Sequence, residues 1–380
     1  MPDVAAVPGE VPLIPVNEPL LNAQTRRYVD ECISTGWISS EGRFITAFEK
    51  SWASYCGMDH GIAVSSGTTA LELAVACLEL EPGDEVIIPT FTIISCALAV
   101  LRAGLKPVLV DSDPRTWCLD VDAVAEKITS RTRAIMPVHM YGHPVDMNPL
   151  LDLTRKHDLF IIEDAAESHG AKYKGQIVGG IGDLSCFSFY ANKIITTGEG
   201  GMVLAKRSDL SERLRSLRNL CFRPERRFYH THAGHNYRLT NIQAAVGLSQ
   251  VEAIEDHLRQ KHWMGKAYTE QLNDIAQITL PVEEPWATNV YWMYGLVLND
   301  DVEYDAVELA RRLRVKGVDT RPFFVGMHEQ PVLREQGLFA GESYPVSERL
   351  TTRGLYLPSG LALTESQLSR VCDAVKEVFE

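Results

Sequence analysis

The chain has 380 residues, 45% of them hydrophobic and 23% charged, enough to bury a sizeable core and to divide into two domains. Its formal net charge of -13 opposes nucleic-acid phosphate. The eight cysteines, at 32, 56, 77, 96, 118, 186, 221 and 372, are too scattered for a zinc knuckle or a compact disulfide framework.

The opening MPDVAAVPGEVPLIP has neither the basic start of a secretion signal nor a membrane-spanning apolar run, so a cytoplasmic protein is expected. After this Pro-rich lead, Tyr28, Val29, Cys32 and Ile33 recur at helical spacing over 22–34, as do Phe44, Phe48, Trp52 and Tyr55 over 43–56. From residue 60 short apolar runs alternate with helical stretches. HGIAVSS, DEVIIPT, PVLVD, AIMPVH and DLFIIED read as strands; TTALELAVACLEL, SCALAVLRAG, VDAVAEKI and MNPLLDLTRKH read as the helices between them. Strands that are apolar throughout and alternate with helices predict an α/β fold, with a mainly parallel sheet covered on both faces. Such sheets bind ligands beyond the carboxyl ends of their strands.

Helices are expected at about 207–218 and 240–273, then a strand at NVYWMYGLVL, a helix DAVELARRLRVKG ending at Gly317, and a terminal helix SQLSRVCDAVKEVF. A boundary at 254 separates a large domain over 1–254 from a smaller α/β domain over 255–380.

Three segments carry chemistry. Ser65-Ser66-Gly67-Thr68-Thr69, between a strand and a helix, offers free N–H groups, hydroxyls and a helix dipole to a phosphate, or simply caps the helix. Glu163-Asp164 ends an apolar strand at the ligand edge, where a carboxylate either caps the next helix or keeps a pyridine nitrogen protonated. In CFSFYANKIITTGEGGMV, Lys193 lies among aromatic and apolar residues; it either snorkels to solvent or is used covalently. Ser188 is a further phosphate donor, and Gly198, Gly200 and Gly201 mark a tight turn.

No spacing carries a metal signature. His230, His232 and His235 follow no ligand pattern, and GGIGD at 179–183 lacks the strand-turn-helix context of a dinucleotide loop. The basic cluster Arg223, Arg226 and Arg227 is either a solvated loop or a contact for an anionic small molecule.

Together these strings resemble the DegT/DnrJ/EryC1/StrS sugar aminotransferases, within the fold-type I pyridoxal 5'-phosphate (PLP) enzymes, from GWISSEG to LPSGLALT. The resemblance implies a seven-stranded, mostly parallel cofactor domain, a smaller C-terminal α/β domain, and a homodimer with shared active sites. It implies that Lys193 carries PLP covalently, with pyridoxamine 5'-phosphate as the alternate form, and that Asp164 pairs with the ring nitrogen. Ser66, Gly67, Thr68 and Ser188 would bind the phosphate, and Asn241 would reach it from the neighbouring subunit. Glu167 and His169 would lie beside the ring, and His139 and Tyr141 near the pocket. Where relatives place an aromatic ring over the cofactor, PTFTII offers Ile93, with Phe91 two residues earlier.

A narrower resemblance, in DPRTWCLD, PERRFYHTHAGHNYRLTN, DTRPFF and LYLPSG, points to the branch that aminates GDP-4-keto-6-deoxymannose at C4 with L-glutamate, forming GDP-perosamine. On that reading Arg227, His230, Arg321 and His328 contact substrate, and neither nucleic acid nor membrane is a partner. Another nucleotide-linked keto-sugar aminotransferase, or a non-catalytic PLP-binding regulator, are the alternatives.

Overall fold

The computed structural model describes residues 12–223 and 225–380. The first helix, Ala23–Thr35, starts where the Asn22 side chain accepts from Thr25 N at 3.0 Å and stops at left-handed Gly36. The second, Arg43–Cys56, drives Phe44, Phe48 and Trp52 into the core. The alternating region then builds a seven-stranded sheet in the spatial order His60–Val64, Gly201–Ala205, Leu184–Ser188, Phe160–Asp164, Thr132–Ile135, Glu85–Pro89 and Lys106–Val110. Gly201–Ala205 runs antiparallel to both neighbours and the other contacts are parallel. Helices on both faces explain why these strands are apolar along their whole length. This is the expected α/β architecture.

A four-stranded sheet of Ile278–Thr279, Tyr294–Leu298, Gly354–Leu357 and Arg321–Pro322 follows, covered by Ile254–Leu272, Ala306–Val315 and Glu365–Phe379. Its core holds Met264, Tyr268, Tyr294, Leu313 and Val371, and draws in Ile14 from the start of the chain. Ile14 is tied there by hydrogen bonds with Gly317 O at 2.8 Å and Asp319 N at 3.0 Å.

Two expectations change. The stretch 240–273 is two helices, Asn241–Val251 and Ile254–Leu272, because the first is buried against the two N-terminal helices while the second turns to the smaller core. NVYWMYGLVL becomes a strand only from Tyr294, since Asn289 Oδ1 accepts from Tyr291 N at 2.8 Å and Tyr291 adopts φ 47°. That turn aims Trp292 away from the sheet. Among the described residues no helix is long and apolar enough to cross a membrane.

Candidate active site

At the carboxyl edge of the large sheet lies a cavity of about 360 Å³. One wall is the start of the helix Gly67–Cys77. Ser66 caps it, accepting from Thr69 N at 3.1 Å, and Thr69 Oγ1 accepts in turn from Ser66 N at 3.0 Å. A Cβ on Gly67 would lie 2.7 Å from Ser188 Cβ, so only glycine lets this helix start meet the strand end. Ser188 therefore faces the first helical N–H groups. Thr68 Oγ1 lies 2.8 Å from Ser95 Oγ, adding hydroxyls to a site already favourable to an anion.

The opposite side carries the charges. Asp164, at the end of its strand, accepts from Ala166 N at 3.1 Å and from Cys96 Sγ at 3.2 Å. Burial raises its pKa, and Lys193 works against that rise. Burial also lifts Glu167 to about 7, although Lys193 and the Tyr141 N–H, 2.8 Å from Glu167 Oε2, favour the carboxylate. Lys193 is lowered by burial and held up by Glu167 and Asp164. The three groups thus share charge within one apolar enclosure, where proton positions respond strongly to any added charge.

Sequence reasoning missed the roof. Trp292 places its ring centroid 3.5 Å from Lys193 Nζ and donates from Nε1 to Asn192 O at 2.8 Å. Phe324 and Tyr356 close the same side. All three come from the C-terminal part of the chain, and only the turn before Tyr294 brings the indole in. Reading 289–298 as one strand concealed it.

The DegT/DnrJ/EryC1/StrS aminotransferase family model matches residues 19–376. This chain belongs to that family. It is similar, at 43% identity over 98% of its length and all of the relative's, to the GDP-perosamine synthase of Caulobacter vibrioides. It is 39% identical to that of Escherichia coli O157:H7, covering 96% and 98% of the two chains. The crystal structure of Streptomyces venezuelae DesV in complex with a ketimine intermediate superposes with TM-score 0.90 at 34% identity, over 97% of this chain and 99% of that one. The chain is accordingly a PLP-dependent aminotransferase of fold type I.

The donor set fits the cofactor that this family implies. A lone amine, a buried carboxylate and a hydroxyl-lined helix start converge on one cavity, and the Gly67–Ser188 contact leaves space that a side chain would fill. Ile93 lines this cavity, whereas Phe91 is fully buried among Tyr141, Phe323 and Phe324.

Several sequence candidates lie elsewhere. His139 is fully buried: Nδ1 accepts from Val145 N at 3.0 Å and Nε2 lies 3.1 Å from Glu163 Oε2, so it has no nitrogen left for substrate. His328 is likewise removed from substrate contact, with Thr90 Oγ1 at 2.8 Å and Glu348 Oε1 at 3.2 Å. His169 sits behind the cavity among Trp52, Phe187 and Phe189; burial and Lys193 push its pKa down to about 3, so the imidazole is neutral. Tyr141 is buried beside Glu167 and packs on Phe324.

Asn241 lies outside its own chain's cavity, its amide donating to Trp37 O at 2.7 Å and accepting from Phe44 N at 3.1 Å, as a residue expected to serve the neighbouring subunit would. Arg321 is paired with Asp319 at 2.7 Å and stands opposite the cavity-lining Tyr356 in the small sheet without lining the cavity itself. Arg227 lines a separate cavity of about 430 Å³ with Arg218, Arg223 and Arg238. His230 is held by Leu220 O, 2.7 Å from Nδ1, in the same exposed loop.

Proposed function

We propose that this aminotransferase moves the amino group of L-glutamate to C4 of GDP-4-keto-6-deoxymannose, giving GDP-perosamine and 2-oxoglutarate. The similarity to GDP-perosamine synthases over nearly the full length carries the substrate assignment. The convergence of Lys193, Asp164 and Glu167 on one cavity supports the chemistry.

PLP, when bound, supplies the electron sink and carries the amino group between the two substrates. Ser66, Gly67, Thr68 and Ser188 would hold its phosphate, Asp164 its ring nitrogen and Lys193 its reactive carbon. Lys193 Nζ is the mobile base: burial makes it readier to release a proton, and its tether keeps it beside the reacting atoms in both directions. Glu167, whose carboxyl burial pushes up and Lys193 holds down, would gain a proton when Lys193 loses its charge and release it when that charge returns. Trp292, Phe324 and Tyr356 shield one side of the amine from water. Arg321, opposite Tyr356 in the small sheet, would be the cation for a donor carboxylate.

Purified protein supplied with PLP and L-glutamate is expected to aminate GDP-4-keto-6-deoxymannose at C4, as read by nuclear magnetic resonance of the product. Turnover of a different nucleotide-linked keto sugar, with none of this one, would reject the substrate and leave the chemistry standing. Borohydride reduction followed by peptide mapping is expected to fix the cofactor on Lys193.

A further inference from the structure

A second lysine lies directly behind the first. Lys261, on the helix Ile254–Leu272, is 1% exposed, and its ammonium has no carboxylate among its hydrogen-bond partners. It donates instead to Ser359 O at 2.6 Å and Trp292 O at 3.0 Å, with Met264 Sδ at 3.6 Å. A buried lysine satisfied only by carbonyls is costly, and burial lowers its pKa to about 7. A leucine or methionine would fill the same space more cheaply. What the ammonium adds is a fixed position for the Trp292 backbone.

That position matters because Trp292 has no strand to hold it. Its segment precedes Tyr294–Leu298 and leaves the Asn289 turn with Tyr291 in the left-handed region. Three contacts fix the residue: Lys261 on its carbonyl, its own indole N–H on Asn192 O at 2.8 Å, and its ring against the Lys193 ammonium at 3.5 Å. Asn17 Nδ2 also donates to Asn192 O at 3.2 Å. The backbone just before Lys193 and the indole in front of it are therefore clamped as one unit.

We propose that Lys261 is a positioning residue for Lys193, acting through Trp292. By gripping the Trp292 carbonyl it presents the indole face to the Lys193 amine, covering it and favouring its charged form. The inference rests on Lys193 being the cofactor-bearing amine. The charged groups that also face Lys193 are Asp164 and Glu167, with neutral His169 behind; none of them bonds Lys261.

The test is competitive acetylation of the full-length protein after cofactor removal, with each lysine followed by peptide mass spectrometry across pH. In Lys261→Met, Lys193 is expected to acetylate at least threefold faster at pH 8, because the amine loses both its cover and the ring that favours its charge. Exposed Lys50 and Lys174 serve as internal references. Trp292→Leu should give the same acceleration without touching Lys261, and Lys261→Leu, expected to act as Lys261→Met does, keeps the inference testable if the first variant does not fold. The double variant should be no faster than either single one, since both remove one contact. Unchanged or slower Lys193 labelling in the folded variants, or additive effects, would overturn the proposal. Borohydride trapping of the cofactor on a lysine other than Lys193 in the parent protein would instead overturn the reading on which it rests.

Discussion

Ile93 stands where the family resemblance leads one to expect an aromatic ring, and its place in the cavity wall gives that expectation a physical test. Its side chain lines the wall, while Phe91 is sealed in an aromatic cluster. An aliphatic cover keeps dispersion contact with a flat cofactor but gives up ring stacking. Ile93→Ala is therefore expected to lose PLP several-fold faster on dialysis, followed by absorbance, with little change in unfolding. Phe91→Ala should instead cost roughly 3 to 5 kcal/mol in denaturant unfolding, the usual consequence of emptying a packed aromatic site. His169 yields a pH prediction. The unfolded imidazole takes a proton below about 6.5, whereas the folded one waits until about 3. Stability is thus present above the unfolded value and is lost as pH falls between the two. Between pH 7 and 4.5, His169→Phe should lose roughly 2 kcal/mol less unfolding free energy than the parent, measured by urea denaturation. Lys193, Asp164 and the Ser66-Gly67-Thr68 string were legible because glycine, hydroxyl and charge at the end of an apolar strand have few structural uses. The histidines were not: sequence shows an imidazole but cannot show that Val145 N and Glu163 already occupy both nitrogens of His139.

At the scale of elements, the same Glu163 explains why the sheet edge is rigid where Asp164 must be placed. Its carboxylate is fully buried and accepts from Gly179 N at 2.7 Å, Ile181 N at 2.8 Å and Gly182 N at 2.6 Å, as well as from His139. Burial raises its pKa, but these donors outweigh it and leave the group ionised at neutral pH. The GGIGD loop is thereby folded onto the strand Phe160–Asp164, and His139 N reaches Asp164 O at 3.1 Å. Glu163→Ala would strand those donors in the core, with an expected loss of about 3 to 5 kcal/mol in unfolding free energy and weaker PLP retention. Reading Glu163-Asp164 as an acidic pair at the ligand edge located the pair but not the division of labour: one carboxylate faces the cavity and its neighbour pins the loop. The alternating elements were recovered because their apolar runs are continuous. The break at 252–253 was hidden because apolar spacing persists across it and packing against different elements separates the two helices, and the late start of the Tyr294 strand was hidden because apolar spacing gives no sign of the Asn289 turn.

At the scale of the whole molecule, the Lys193 cavity and the arginine-lined cavity are separate within one copy, yet a nucleotide-linked substrate needs cations for its phosphates. The loop that carries Arg227 also exposes Phe228 and Tyr229, and the turn after the first helix exposes Trp37 and Ile38. A two-fold dimer that covers these surfaces and brings Arg227 of one copy to the Lys193 cavity of the other would account for both facts. Sequence composition says nothing of such an arrangement, because pairing depends on which residues share a face. The arrangement is testable by complementation. Lys193→Ala and Arg227→Ala are each expected to be strongly impaired. Co-expressed in equal amounts, they should form mixed dimers in half of the population, each with one site built from two unaltered residues. Activity should then recover to about one quarter of the parent's, the value that random pairing of two-fold dimers requires. If Arg227 served its own copy's site, every mixed dimer would carry two defective sites and no activity would return.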